Sequence, residues 1–482
     1  MTPMRAGSWR ATLLLAAAAL LLFALLPQRT LHGIDGEVFV TWIEQGRHDY
    51  PRHIAYLHLA GAVYAAGAAW GLSAFGALLL TSAAASALGL MFLHRAFLVL
   101  TGGGRAAAAV TVAVGVSAPW FFYATCAEIH GVFVAGAGLA WWALACHTLS
   151  PSVPRALLVG AATGAAAAVH AFGHVLLPTL AGAAWVFGAA RRPGAWRHLP
   201  AAGLAHAGVA AGCASALGAG AGGQAQAAAG FLAEYLRVFA PQTAPDVLLR
   251  EWVWPFAPWS LTAVLALWHR PARPFALATL LGIALHLPLT VLLLGHHHIH
   301  EGGAYHLALL PPAVLCAWRM LRTREFALAT LAAGVLAVSV TAPEWRDPVA
   351  PDFVAAVEGL QQERPMALIV GRRHELDGVR TTVHGAIVVD LGQALHLWLE
   401  ERMRGGSMTS WFDGWSRRFD RAGRPLLLAD SAHEFFRDTA EPEVRAFWDD
   451  HVPRHYLVVP ELRRGFRGVW LLPLPGGDVA WP

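Results

Sequence analysis

Two carboxylates, Asp35 and Glu37, follow the first hydrophobic stretch of the chain, in the sequence His32-Gly-Ile-Asp-Gly-Glu-Val-Phe. A carboxylate held beside a hydroxyl group can remove its proton while the oxygen forms a new bond, and so acts as a general base. An acidic residue in such a place is also often only solvated. The His, Arg and aromatic residues that surround Asp35 favour a catalytic role, with Glu37 beside it.

Glu128 and His130 lie between two later hydrophobic stretches, in Trp120-Phe-Phe-Tyr-Ala-Thr-Cys-Ala-Glu-Ile-His130. An ionisable group at membrane depth is energetically unfavourable, so it often marks a functional site. The alternative is that Glu128 caps the start of the next helix, where the helix dipole stabilises a negative charge. The sequence leaves both alternatives open.

His170 and His174 have a spacing of four residues, and on a helix they would face one direction. That spacing suits a metal pair, although two His residues without a nearby acid are a weak metal signal. The alternatives are hydrogen bonds to a phosphate or a sugar hydroxyl, or a histidine packed in the core.

The densest polar segment is His296-His-His-Ile-His-Glu301, which Tyr305 and His306 follow. Imidazole and carboxylate groups suit several divalent metals, but adjacent His residues in one extended loop do not easily reach one ion. A divalent cation is therefore one candidate cofactor, beside direct contact with a substrate or plain solvation. The candidate substrate-binding residues of the whole chain are Arg52, His53, Glu128, His130, His170, His174, Tyr235, Arg237, His298, His300 and Glu301.

The composition indicates a membrane protein. The 482 residues are 56% hydrophobic and 14% charged, with a mean hydropathy of +0.48, whereas soluble domains are about 25% charged. All 35 basic residues are Arg, so a bound phosphate must be held by Arg or His, and Arg can bind it through two parallel hydrogen bonds. The net charge of +4 does not indicate a nucleic-acid partner, because basic residues of membrane proteins cluster in cytoplasmic loops.

The Arg residues decide the predicted topology. A membrane-spanning helix needs about 20 apolar residues, which gives about 11 spans, the first at residues 12–27 and the next at 74–92, ending at His94-Arg95. Residues 38–72 are placed along the outer surface, because a crossing at 54–70 would move every short Arg-rich loop outside, against the positive-inside rule. The external connections are then residues 28–72, 123–130, 170–174, 222–255 and 295–303, which contain the candidate site residues.

Residues 341–482 have a more charged and mixed composition than the rest of the chain, which predicts a small α/β domain on the external side. Residues 1–340 are predicted to form the transmembrane domain. The fold class is mainly α, a polytopic membrane protein with this C-terminal domain. Substrate binding or packing is the expected role of the tail. Its predicted strands are 367–370, 386–391, 426–429, 456–459 and 469–472, and its predicted helices are 351–362, 393–404 and 432–449.

These motifs resemble the GT-C superfamily of glycosyltransferases, which use polyprenyl-phosphate sugars. Asp35-Gly-Glu37 is similar to the acidic first-loop motif of bacterial relatives of protein O-mannosyltransferases. The segment from Trp120 to His130 is similar to their Trp-x-x-Ala-x-x-Ala-Glu-Val-Tyr segment, and the Gly-rich stretch 160–170 also ends in His. Where those relatives have His-Pro-Pro, this chain has Tyr50-Pro-Arg-His53.

The resemblance implies an enzyme that transfers a hexose, such as mannose, from a polyprenyl phosphate to a hydroxyl on a protein, lipid or glycan. It implies Asp35 as general base, with Arg and His residues holding the lipid phosphate. The expected location is the bacterial inner membrane, with a cytoplasmic N-terminus and a periplasmic or extracellular tail. A transporter or flippase, and a non-catalytic scaffold for envelope assembly, are alternatives, although the acids collect at one membrane face rather than at the midplane where transporters place theirs.

Overall fold

A computed structural model describes most of the chain, in two compact units. The first unit takes the described residues of Met1–Gln28 and Val38–Pro343, and the second those of Arg29–Glu37 and Glu344–Pro482. The described residues are 7–29, 39–40, 42–47, 54–191, 195–217, 236, 239–294, 301–345, 351–371, 375–376, 378–379, 383, 387–391, 407–438 and 442–474. Outside them lie Asp35, Glu37, Arg52, His53, Tyr235, Arg237, His298 and His300.

Within its described residues, the first unit is built mainly from α-helices. They are α1 (Gly7–Leu25), α2 (Ile54–Gly67), α3 (Ala74–Thr101), α4 (Gly104–Gly115), α5 (Ala118–Thr125), α6 (His130–Leu149), α7 (Val153–Val169), α8 (Gly173–Arg191), α9 (Leu199–Ala216), α10 (Ala244–Leu248), α11 (Trp259–Leu265), α12 (Arg273–Leu294), α13 (Leu310–Met320) and α14 (Thr323–Thr341).

Five of these helices are long and apolar enough to span a membrane by length and composition: α3, α6, α9, α12 and α14. Helices α4 and α5 pass the same test as one span that is bent by 66°. Shorter apolar helices include α1, α7 and α8. The number of about 11 spans stays a prediction.

The bend between α4 and α5 follows from local sequence. Pro119 lies in the first turn of α5, and a proline removes a backbone donor and disfavours helical geometry in the residue before it. Ser117 stands at the break, where its hydroxyl accepts the indole N–H of Trp259 at 2.7 Å and donates to the carbonyl of Ala113 at 2.6 Å. Such side-chain partners compensate an interrupted helix inside a membrane.

Helices α3 and α6 pack closely through small residues, as membrane helices commonly do. A Cβ atom added to Gly138 would lie 2.5 Å from the carbonyl oxygen of Gly89. The hydroxyls of Ser82 and Ser86 on α3 donate to the carbonyls of Glu128 and Gly131 at 2.9 and 3.2 Å. These contacts fix the beginning of α6, which carries His130.

Gly160 on α7 packs against α9, and a Cβ atom there would overlap the carbonyl of Ala202. We expect Gly160→Ala to force the helices apart and to lower the free energy of unfolding by about 1 to 3 kcal/mol. The matched control is Gly203→Ala, since a Cβ atom at Gly203 meets no atom within 4 Å, and this change should be neutral or stabilising by up to about 1 kcal/mol. Melting temperatures of the two purified variants test this, and equal values would contradict it.

The helix does not end at His94-Arg95, where the predicted span ends. Helix α3 continues to Thr101, and both side chains lie buried within it. The His94 Nδ1 atom is 2.8 Å from the hydroxyl of Thr12, and the guanidinium of Arg95 lies 4.3 Å from the ring centre of Trp9. The two residues are buried because α1 supplies a hydroxyl and an aromatic face for a cation–π contact.

Helix α2 has 14 residues, which gives a length of about 21 Å. That is shorter than the roughly 30 Å hydrocarbon core of a bilayer. Its position along the outer surface stays a prediction.

The second unit contains a five-stranded mixed sheet in the order β2-β1-β3-β5-β4. β1 pairs in parallel with β2 and β3, whereas β5 pairs antiparallel with β3 and β4. All five predicted strand positions are confirmed, and β1 and β3 are buried over their full length, as their continuous apolar runs predict. The strands are β1 (Ala367–Val370), β2 (Ile387–Asp390), β3 (Leu426–Ala429), β4 (Tyr456–Arg463) and β5 (Phe466–Pro473).

The helices of the second unit were predicted less well. Helix α15 (Pro351–Glu363) agrees with the prediction, whereas α16 (Met408–Arg421) was not predicted. The predicted helix over 432–449 coincides with α17 (Asp430–Asp438) and α18 (Pro442–Ala446), and the residues between the two lie outside the described part. The predicted helix at 393–404 lies outside the described residues. A short helix, α19 (Val452–His455), leads into β4.

Candidate active site

Four aromatic rings from distant parts of the first unit meet at one end of its helices. The ring of His130 lies 4.9 Å from Tyr123, 4.9 Å from His170 and 5.5 Å from Tyr305, between ring centres. The rings of His170 and Tyr305 are 5.8 Å apart. Residues 123–130, 170–174 and 301–305 are therefore neighbours, which agrees with the prediction that these connections share one side.

His130 and His170 are both buried, at 5% and 7% exposure, and helix ends position both. His130 is the first residue of α6, and His170 is the C-cap of α7. The His170 Nδ1 atom accepts the backbone N–H of Phe172 at 3.0 Å. When the ring is neutral, its proton is therefore on Nε2, which makes that nitrogen a hydrogen-bond donor.

A buried carboxylate holds the turn that carries Tyr305. The side chain of Glu251 has 0% exposure, and its two oxygens accept the backbone N–H groups of Glu301 and Gly303, each at 2.9 Å. Burial raises the pKa of Glu251, while these N–H groups act in the opposite direction. The hydroxyl of Tyr123 donates to the carbonyl of Glu301, so α5 is tied to the same turn.

His286 on α12 fixes the other side of this turn. Its Nδ1 atom lies 2.8 Å from the carbonyl oxygen of Tyr305, and its Nε2 atom lies 2.9 Å from the hydroxyl of Thr179. Since a carbonyl only accepts, Nδ1 carries a proton. The hydroxyl of Thr179 itself donates to the carbonyl of Val175 at 2.9 Å. The ring of Phe172 packs between, 4.9 Å from Tyr305 and 5.0 Å from His286.

Comparison of the sequence with protein-family models and with curated proteins gives no match. Solved structures do match. ArnT from Cupriavidus metallidurans in the apo state aligns with a TM-score of 0.56 at 14% identity, over 95% of this chain and 97% of that chain. The same protein bound to undecaprenyl phosphate gives a TM-score of 0.56 at 14% identity, over 99% of this chain and all of the other.

The chain has the GT-C fold. The archaeal oligosaccharyltransferase AglB from Archaeoglobus fulgidus, in complex with an inhibitory peptide and a dolichol phosphate, also aligns, with a TM-score of 0.50 at 11% identity. That match covers 95% of this chain and 74% of AglB. The resemblance noted from the motifs is thereby confirmed for the fold, and so is the fold class of a mainly helical, multi-pass membrane protein with a small C-terminal domain.

Within this GT-C fold, His170 and His174 do not share one helix face. Helix α7 ends at Val169 and α8 begins at Gly173, so the backbone between the two residues is not one helix. The His174 Nδ1 atom lies 2.9 Å from His206 Nε2, and His206 Nδ1 lies 3.0 Å from the hydroxyl of Thr163. His174 therefore belongs to a separate hydrogen-bonded chain.

The position of Glu128 is compatible with both alternatives, a functional residue and a cap of the next helix. It is 4% exposed, and its Oε2 atom accepts the backbone N–H of Ile129 at 3.0 Å, next to the start of α6. The carboxylate therefore stabilises this helix terminus. A contact of Glu128 with substrate stays a prediction.

Three members of this cluster were not among the candidate residues: Tyr123, Glu251 and Tyr305. Tyr305 stood beside the His-rich segment, and Glu251 stood in a Trp-rich segment, which were weak signals. Among the described residues, no three His, Cys, Asp or Glu side chains are arranged to hold a metal ion. Since residues 295–300 lie outside the described part, a divalent cation stays a prediction.

Proposed function

We propose that this GT-C protein is an integral membrane glycosyltransferase that uses a polyprenyl-phosphate sugar. It transfers the sugar, a hexose such as mannose, to a hydroxyl acceptor on the external face of the bacterial inner membrane. The observation that carries the proposal is the convergence of Tyr123, His130, His170 and Tyr305 at one end of an apolar helical unit. Binding of undecaprenyl phosphate and dolichol phosphate by structures of the same fold supports a lipid-phosphate donor.

The proposed reaction exchanges one bond of the anomeric carbon for another. The acceptor oxygen bonds to the anomeric carbon as the bond from that carbon to the phosphate oxygen breaks. Asp35 takes the acceptor proton as general base. The polyprenyl phosphate leaves with the bonding electrons, and its negative charge is stabilised by hydrogen bonds from Arg and His side chains.

The buried imidazoles suit the leaving phosphate. A hydrogen bond to an anion is stronger where water is excluded, and His130 and His170 are nearly inaccessible to solvent. The Nδ1 atom of His170 is held by the backbone N–H of Phe172, which fixes the orientation of the ring. Tyr305 is partly exposed and adds a flat, partly apolar face on which a sugar ring can pack.

The other candidate residues complete this proposal. Arg52, His53, Arg237, His298 and His300 are proposed to contact the donor phosphate. Glu37, Glu128, His174, Tyr235 and Glu301 are proposed to position the sugar and the acceptor, and a divalent cation is a candidate cofactor. The N-terminus is proposed to be cytoplasmic and the C-terminal domain periplasmic or extracellular.

The experiment is an assay of purified protein in lipid with radiolabelled polyprenyl-phosphate mannose and polyprenyl-phosphate glucose. We expect release of labelled sugar, to an acceptor or to water, from at least one donor. Parallel samples with a metal chelator test the divalent cation. The proposal would be contradicted if neither donor released its labelled sugar. Movement of intact donor across the bilayer in the same vesicles would favour a flippase.

A further inference from the structure

A cavity of about 200 Å³ lies at the end of the first unit where α3, α6 and α13 finish. A single water molecule needs far less than this volume, so the cavity has room for a polyatomic group. It is lined by Leu100, Thr148, Phe187, Pro271, Pro274, Phe275 and Arg319.

This cavity is separate from the candidate active site. His130 begins α6 and Thr148 is its second-last residue, so the two ends are about 27 Å apart at 1.5 Å per residue. The hydrocarbon core of a bilayer is roughly 30 Å thick. The cavity therefore lies near the opposite membrane surface.

The guanidinium of Arg319 is incompletely satisfied at this cavity. Its Nη2 atom donates to the carbonyl of Leu100 at 2.9 Å. Its Nε atom is buried and has no hydrogen-bond partner within the part of the chain that the structure describes. Arg319 is the charged residue of the cavity lining, and oxyanions are the acceptors that a guanidinium binds most strongly.

The chain segments at this end are strongly basic. Together they contain ten Arg residues and one acidic residue, Glu325, over residues 102–105, 150–155, 191–198, 269–273 and 319–325. Such loops are predicted to be cytoplasmic, and basic pockets between membrane helices on that side suit lipid phosphates. The charge therefore favours an anionic ligand over a neutral or cationic one.

We propose that this cavity binds a phosphate group, to which the guanidinium of Arg319 donates. The hydroxyl of Thr148 donates to the carbonyl of Ala145 at 2.9 Å, so its oxygen is an acceptor for a hydroxyl next to the phosphate. A glycerol phosphodiester, as in phosphatidylglycerol, offers both groups, and inorganic phosphate offers the anion alone.

The test measures binding to the purified full chain in neutral detergent by native mass spectrometry. The probes are phosphatidylglycerol, phosphatidylcholine and inorganic phosphate. We expect phosphatidylglycerol to bind more tightly than phosphatidylcholine, and Arg319→Gln to weaken its binding about tenfold. The matched control is Arg324→Gln, which removes an exposed cation at the same end and should change the affinity by less than about twofold.

Arg319→Gln also removes the hydrogen bond to Leu100, so a second variant is needed if this one does not fold. Leu100→Phe keeps Arg319 and fills the cavity, and it should also weaken phosphatidylglycerol binding. Loss of inorganic phosphate binding in Arg319→Gln, without any preference for phosphatidylglycerol, would support the site with a free anion as ligand. The proposal would be overturned if wild type bound the two lipids equally and did not bind inorganic phosphate. It would also be overturned if Arg319→Gln and Arg324→Gln had equal effects, or if Leu100→Phe bound phosphatidylglycerol as tightly as wild type.

Discussion

Sugar transfer is expected to fall by about 10²- to 10⁴-fold when Asp35 is replaced by Asn, the range that general bases contribute to a rate. The amide keeps the size of the side chain and cannot take the acceptor proton. Because the phosphate contacts of the donor are unchanged, its affinity should be affected little. Initial rates and donor binding of wild type and Asp35→Asn, in the same lipid, separate the two effects.

Asp49→Asn is the matched control, since it makes the same change in the same connection between predicted spans. It should retain most of the activity. Full activity of Asp35→Asn with loss in Glu37→Gln or Glu128→Gln would move the base to that residue. An inactive Asp35→Asn that also fails to bind donor would contradict a role limited to proton transfer.

Replacement of Glu251 by Ala is expected to have the largest effect on stability, lowering the free energy of unfolding by about 3 kcal/mol. The carboxylate is fully buried and accepts the N–H groups of Glu301 and Gly303. Alanine leaves both buried donors without an acceptor. Gly303 adopts a φ of +91°, and the turn that it forms leads directly into Tyr305.

Transfer by Glu251→Ala should fall at least tenfold, because small displacements of groups around a reacting centre slow a reaction strongly. Melting temperature and transfer rate are the two measurements. Asp246→Ala is the matched control, since it removes another carboxylate from the same segment. The side chain of Asp246 is 46% exposed, and its ion pair in the contacts described is with the exposed Arg250. Its effect should stay below about 1 kcal/mol. Equal losses in the two variants would show that Glu251 has no special role.

Much of the fold could be predicted from sequence because burial leaves a local pattern. The strands at Ala367–Val370 and Leu426–Ala429 agree with prediction at both ends, since a strand covered on both faces is a short, continuous apolar run. The helix at Met408–Arg421 was not predicted. This helix is strongly amphipathic, with one apolar face among Arg and Asp residues. It therefore has no continuous apolar run that would mark it in the sequence.

The candidate site could be predicted as a set of connections but not as a set of contacts. Span counting and Arg placement predicted that residues 123–130 and 170–174 would lie on one side, and their rings do meet. Which rings meet depends on how the helices pack against one another, since His170 meets His130 and Tyr305, which belong to other connections. The contact of Glu251 with Glu301 joins residues 50 positions apart, and no local pattern reports such a pairing.

The bend between α4 and α5 also determines the position of Tyr123. Helix α5 has eight residues, about 12 Å of length, and the bend turns it by 66° from the direction of α4. Straightened, it would carry its end, with Tyr123, roughly 10 Å away from the turn at Glu301, by the same helix geometry. Because of the bend, α5 does not continue in the direction of α4, and Tyr123 is held beside His130.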